Sequence, residues 1–168
     1  NKSLANAEYD LDKICAFAVS NAKFKSRQAR AGDKKTDYRC AEYVRIALQK
    51  GDLKKQIKGG LGNASAWGTA LTKVGWVRAS GGLKKGDIAW FPTGMSGNGH
   101  VCIWTGSVWV SDWIQGTSPQ PNMSKPLSYH IYRAKNGVSN GSAVGAEGSG
   151  SESDGVAGAR AVRPGHFQ

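Results

Sequence analysis

A thiol, an imidazole and a carboxyl follow one another along this chain in an order that suits nucleophilic catalysis: Cys40, His100 and Asp112. A thiol attacks only as thiolate, and its pKa falls at a helix N-terminus beside a cation or an imidazolium. Cys40 opens a run in which Ala41, Val44, Ala47 and Leu48 recur at helical spacing on one face. It therefore falls in the first turn of a helix over 39–50, where the helix dipole favours negative charge by roughly 0.3–1 kcal/mol, with Arg39 as its neighbour. A core thiol belongs deeper on an apolar stripe, as Cys15 is among Leu11, Ile14, Ala18 and Ala22.

A nucleophile of this kind needs a base. Of three histidines, His166 lies in a polar C-terminal stretch and His130 inside a late strand, while His100 opens a strand directly after Ser96-Gly97-Asn98-Gly99. A glycine at that place lets the backbone approach another element closely. Strand alternation puts His100, Cys102 and Trp104 on one face. If that face packs on the Cys40 helix, the imidazole lands near the thiol. Asp112 ends the next strand and is expected beside His100 across the ladder, as the group that orients the ring. Gln115 is a further polar candidate nearby. A lone strand histidine or strand-end aspartate is ordinarily structural; the joint occurrence in this order is what points to catalysis.

The elements that must hold these groups read as helices first and strands later. Helices are expected over 4–24, 39–50 (capped by Thr36 or Asp37 and ended at Gly51) and 64–74 (capped by Asn63), with a basic loop over 25–38. Strands are expected at 76–78, 87–92, 100–105, 108–113 and 129–133, the third and fourth forming a hairpin through Thr105-Gly106-Ser107. This order predicts an α+β fold, N-terminal helices packed on an antiparallel sheet of about five strands. Residues 1–136 form the expected domain. Residues 137–168, dominated by Gly, Ser and Ala, read as a flexible tail without a catalytic part.

The 168 residues suffice for one domain with a core. The formal net charge is +11. Lys23, Lys25, Arg27, Arg30, Lys34, Lys35 and Arg39 concentrate positive charge just ahead of Cys40. Such a field attracts polyanions: nucleic acid, anionic membrane or anionic cell wall; it equally keeps a surface solvated. No recognised nucleic-acid motif accompanies the run, and no apolar stretch approaches the ~20 residues that span a bilayer, so neither nucleic acid nor membrane insertion is expected. Three cysteines lack metal-ligand spacing and are too few for a disulfide scaffold; neither metal nor cofactor is expected. In an exported protein a Cys15–Cys102 bridge would leave Cys40 free; two buried apolar thiols are the other reading. Most of the six tryptophans are expected in the core. The chain opens on Asn rather than Met, which leaves open a processed or trimmed protein from which an export signal is gone.

Four segments together resemble the CHAP-type members of the NlpC/P60-like, papain-fold cysteine amidases. Cys40-Ala41-Glu42-Tyr43-Val44-Arg45-Ile46-Ala47-Leu48 looks like their nucleophile helix, and Leu83-Lys84-Lys85-Gly86-Asp87-Ile88-Ala89-Trp90-Phe91 like their first core strand. Gly99-His100-Val101-Cys102-Ile103 resembles their histidine strand, and Trp109-Val110-Ser111-Asp112-Trp113 the strand of their third residue. The closing Tyr129-His130-Ile131-Tyr132-Arg133 is similar to a terminal strand of such enzymes acting on Gram-negative wall. The resemblance covers about residues 35–135 and, with the small size, extends to type VI secretion amidase effectors and the domesticated amidase effectors. It implies hydrolysis of amide bonds in peptidoglycan stem peptides or cross-links, secretion with action in the periplasm or wall of a target bacterium, a monomer, and an immunity-protein inhibitor as partner. Two positions depart from the pattern: Arg39 stands where a glutamine commonly precedes the cysteine, and Ile114 where an asparagine often follows the acid. The oxyanion donor is then expected among the N–H groups of the helix start, Arg39, Tyr38 and Gln28. The competing readings are a thiol protease or acyltransferase acting on protein, and a non-catalytic basic module binding nucleic acid or wall.

Overall fold

The computed structural model describes residues 4–33, 39–94 and 97–145. The α+β class expected from the element order is present. A 3-10 turn at Leu4–Asn6 and a short strand β1 (Tyr9–Asp10) precede α1 (Leu11–Asn21). Then come α2 (Arg27–Ala31), α3 (Cys40–Lys50), a 3-10 turn at Ala64–Ala66 and α4 (Trp67–Lys73). The strands are β2 (Trp76–Arg78), β3 (Ile88–Phe91), β4 (His100–Trp104), β5 (Trp109–Val110), β6 (Ile114–Gly116), β7 (His130–Ala134) and β8 (Gly137–Val138). β2 to β7 make one antiparallel sheet of six strands, in the order β2-β7-β3-β4-β5-β6. β1 and β8 make a separate parallel pair, Tyr9 opposite Gly137.

The sheet has one strand more than the five expected, because the run over 108–113 ends early, as β5 at Val110, and a further strand, β6, forms beyond it. β4 and β5 pair only at Ile103–Val110 and Trp104–Trp109. The chain then turns tightly, Ser111 N donating to Trp113 O, and resumes as β6. The segment before α2 draws it outward: Lys23 N donates to Asp112 O and Ile114 N to Phe24 O. α2 itself stands where a loop was expected. Its polar sequence carries no periodicity, but Ser26 caps it by accepting from Ala29 N. The caps expected at Thr36 or Asp37 lie outside the described residues. Arg39 holds the N-cap position of α3 and makes no side-chain cap.

The helices bury their stripes on one face of the sheet. Ile14, Cys15 and Ala18 of α1 and Val44, Ala47 and Leu48 of α3 meet Val101, Ile103 and Val110. The opposite face carries Ala89, Phe91, Cys102 and Trp109 under Leu127 and Ile131. Alternation therefore divides β4: Val101 and Ile103 face the helices, and Cys102 faces away. Cys15 and Cys102 lie in these two separate layers, and all three cysteines are free thiols. Four tryptophans, Trp67, Trp76, Trp109 and Trp113, are buried.

The chain does not leave the body at Asn136. Val144 N donates to Thr105 O, and Ser139 Oγ and Asn140 N both donate to the Asp12 carboxylate. Residues 137–145 thus lie against α1 and the Thr105 turn; the remainder of the expected tail, 146–168, is outside the described residues.

The loop ahead of β4 is seated on the Ala64–Ala66 turn. Ser65 N donates to Asn98 O at 2.9 Å and Trp90 Nε1 to Ala64 O at 2.7 Å. Gly99 has φ +81, and a Cβ there would stand 2.5 Å from Ser65 N. Both its conformation and its contact exclude a side chain. Gly99→Ala should therefore cost about 1–3 kcal/mol and displace His100. Urea unfolding measures the first; a midpoint equal to wild type would mean the loop has room to move.

Candidate active site

Cys40 is the first residue of α3, and α3 packs on β4. The contact is made where the ladder is open. Trp104 N donates to Asp87 O on the β3 side and Thr105 N to Val108 O on the β5 side. Alternation then turns the Val101 N–H towards β5, which has already ended at Val110. The Cys40 sulfur lies near that place: the N–H of Val101 favours its thiolate, as do the N–H groups of Ala41 and of Cys40 itself. The sulfur thus sits beside the residue that follows His100. Against these donors stands burial, the larger effect, and the charge of Asp112; the thiol is pushed up to about 11.

His100 is 6 % exposed. Its ring packs on Phe91, centroids 5.6 Å apart, and its Nε2 lies 2.8 Å from Gln115 Oε1. Donor and acceptor roles follow from the other end of the amide. Gln115 Nε2 donates to Pro119 O at 2.9 Å and Ser118 O at 3.3 Å. Carbonyl oxygens only accept, so the NH2 must face them and the amide oxygen must face the ring. His100 therefore carries its proton on Nε2, and Nδ1 keeps the lone pair of a base. Burial pushes this imidazole down to about 4; Gln115 opposes that, and Arg30 and Arg27 add to it. The resting site at neutral pH is a neutral thiol with a neutral imidazole.

Asp112 does not stand beside the ring. Extending the β4–β5 register would set Asp112 opposite Val101 and Trp113 opposite His100, but the turn at Ser111–Trp113 ends the pairing first. The partner of His100 is Gln115, 2 % exposed on β6. Asp112, 3 % exposed, faces the start of α3 instead. Burial raises its carboxyl, while Arg30 and the Arg39 N–H pull it the other way. Its charge acts on Cys40 rather than on the base.

The Arg39 guanidinium is held by Glu42, Nε to Oε1 at 2.7 Å, one turn along α3. Gln28 is exposed on α2. Tyr38 lies outside the described residues. The first N–H groups of α3 have no acceptor within the helix; those of Cys40 and Ala41 favour the Cys40 thiolate and that of Arg39 the Asp112 carboxylate. Among the described residues no group of three His, Cys, Asp or Glu side chains could hold a metal ion. No helix among them is long and apolar enough to cross a membrane.

Much of the basic run is used internally. Lys25 Nζ donates to Val19 O and Ser20 O at the end of α1. Arg27 donates to three main-chain carbonyls around Gln115. Arg27 was hidden in the sequence by its charge: it reads as one of seven surface cations, and no spacing rule marks it.

A family model described as the CHAP domain matches residues 30–116, a span that holds Cys40, His100 and Gln115. Among solved structures, a chain of the type VI native effector-immunity complex Tae3-Tai3 from Ralstonia pickettii is similar, with 28% identity and a TM-score of 0.59 over 75% of this chain and 99% of that one. A chain of the SeMet form of that complex is similar at 28% identity and a TM-score of 0.51, over 71% of this chain and 98% of the other. Among curated proteins none matches the sequence.

The buried neutral imidazole links stability to pH. The folded pKa of about 4 lies below the ordinary 6.5, so the unfolded chain binds the extra proton between these values. The stability that His100 contributes is complete above about 6.5 and is lost as pH falls towards 4. Urea midpoints measured over that window should drop for wild type and drop less for His100→Gln; parallel curves would mean the ring is hydrated when folded.

Proposed function

This chain belongs to the CHAP domain family, and from that premise we propose that it is a peptidoglycan amidase or endopeptidase with Cys40 as nucleophile and His100 as general base. The observation that carries the reading is the packing of α3, which Cys40 opens, on β4, which His100 opens, with the Nε2 of that imidazole committed to Gln115. The likeness to chains of the Tae3-Tai3 complexes supports a toxin that acts in the wall of a target bacterium and is held in check by an immunity protein.

The reaction divides into acylation and hydrolysis. As the Cys40 sulfur bonds to the carbonyl carbon of a stem-peptide amide, Nδ1 of His100 takes the thiol proton. The carbonyl oxygen becomes an oxyanion and accepts from the N–H groups of Cys40 and Ala41 at the start of α3. The imidazolium then returns its proton to the departing amine nitrogen as the C–N bond breaks, leaving a thioester. A water, losing its proton to Nδ1, attacks the thioester carbon; the acid leaves and the proton returns to sulfur. Gln115 accepts from Nε2–H throughout, so the ring does not turn between steps. Asp112 disfavours the free thiolate before substrate arrives.

Digestion of purified sacculi followed by chromatography of the released fragments tests this. Wild type should change the muropeptide profile, Cys40→Ala should abolish the change, and His100→Ala should lower turnover by about 10²–10⁴-fold. His130→Ala should retain activity. An unchanged profile with wild type ends the peptidoglycan reading, and cleavage of a denatured protein substrate in its place would favour a thiol protease. Activity that persists in Cys40→Ala removes the nucleophile assignment.

A further inference from the structure

The Arg27 side chain binds one short piece of chain. Its Nε donates to Gln115 O at 2.8 Å, and one terminal nitrogen donates to Ser118 O at 3.1 Å and Gln120 O at 2.8 Å. Its guanidinium lies over Trp113, 4.9 Å from the ring centroid. Among the described residues no carboxylate stands within salt-bridge distance of it. A half-buried cation balanced only by carbonyl dipoles and an indole is a costly way to hold a loop. An apolar side chain of similar volume generally serves stability as well or better.

What the arrangement does secure is direction. Ser118 O accepts from both Arg27 and the Gln115 amide. The neighbouring Pro119 O takes the second amide proton. Arg27 therefore holds directly one of the two carbonyls that decide which end of the Gln115 amide meets the His100 ring, Ser118 O, and brackets the other, Pro119 O, between its bonds to Ser118 O and Gln120 O. An amide turned through 180° would offer its NH2 to Nε2 and place the ring proton on Nδ1, the nitrogen that must accept from the thiol.

We propose that Arg27 is a positioning residue, which through Ser118 O and the Gln115 amide holds His100 in the tautomer with Nε2 protonated and Nδ1 free. It lies before residue 30, outside the span that the family model matches. The inference rests on His100 serving as the base, but its first test needs no peptidoglycan. Long-range ¹H–¹⁵N correlation of the imidazole reads the tautomer directly in the whole chain. Wild type should show Nε2–H alone, and Arg27→Ala should show a mixture with Nδ1–H. Should Arg27→Ala not fold, Arg27→Lys keeps a cation over Trp113 but loses the fork, and should show the same mixture.

The second readout is a double-mutant cycle on turnover. Arg27→Ala should lower kcat by roughly 10²-fold with KM within about twofold, as expected of a misplaced catalytic group. In a Gln115→Ala background the same change should alter kcat by less than about twofold, because the amide through which it acts is gone. A single Nε2–H tautomer in the folded Arg27 variant, or losses that multiply in the double mutant, would overturn the proposal. A wild type inert on sacculi yet with Nε2–H alone, lost in the variant, would end the activity reading and leave this one standing.

Discussion

The early parting of β4 and β5 governs the site. Pairing stops at Ile103–Val110 because residues 23–24 capture the chain at Asp112 and Ile114. In a continued ladder the Val101 N–H would be spent on β5 and the strand edge closed. Parting leaves one N–H and one gap, and the gap is filled by the start of α3. The Val101 N–H so released favours the thiolate of Cys40. The same parting sends the chain round through Ser111–Trp113, so that it returns as β6 with Gln115 under the His100 ring. Cys40 and His100 are thus placed by one interruption in one ladder, and the helix packing on Val101 and Ile103 holds it open.

The electrostatics of that gap favour neutrality. Desolvation outweighs the three N–H groups aimed at the sulfur and raises the thiol; it also lowers the imidazole. A standing thiolate–imidazolium pair, the state that electropositive surroundings create in other cysteine sites, is disfavoured here. Asp112 adds to this by setting a carboxyl near the sulfur. The charge separation must then be made during attack, when the α3 N–H groups gain an oxyanion to bind. Such donors act in the transition state and not before it, the condition under which binding energy accelerates chemistry rather than merely tightening association. A neutral thiol is also the less readily alkylated or oxidised form.

The sequence made α3 legible because Val44, Ala47 and Leu48 recur at helical spacing with Cys40 ahead of them on the same face, and the hairpin legible through Thr105-Gly106-Ser107. Gly99 before His100 marked a close approach, and the approach is to Ser65. The third residue was misplaced for a definite reason. A ladder inferred from alternation has no way to register that it stops, and a bulge moves the pairing by a fraction of a strand. Gln115 rather than Asp112 reaches the ring because of a turn whose cause lies ninety residues away, at 23–24. α2 was unreadable because five residues without an apolar face carry no period. β8 and the segment to residue 145 read as tail because their attachments are backbone pairing with β1, bonds to Asp12 and the Thr105 turn, and one apolar residue, Val144, which leave no compositional trace.

The positive run ahead of Cys40 shows how a net charge misleads when it is treated as surface. Lys25 closes the exposed carbonyls of α1, Arg39 is tied to Glu42 within α3, and Arg27 is turned inward on the chain around Gln115. Lys25 and Arg27 are the means by which a polar segment, with no apolar stripe to bury, is attached to the body. Carbonyl groups at strand and helix ends are the natural counterpart of such a segment, since they need donors and offer partial negative charge. The consequence for the site is that its rear wall is polar and directional. An apolar contact at that place would tolerate either orientation of the Gln115 amide, whereas a guanidinium fork on carbonyls 115, 118 and 120 tolerates one. Cys40 and His100 sit on elements that the family model spans, and Arg27 stands ahead of it.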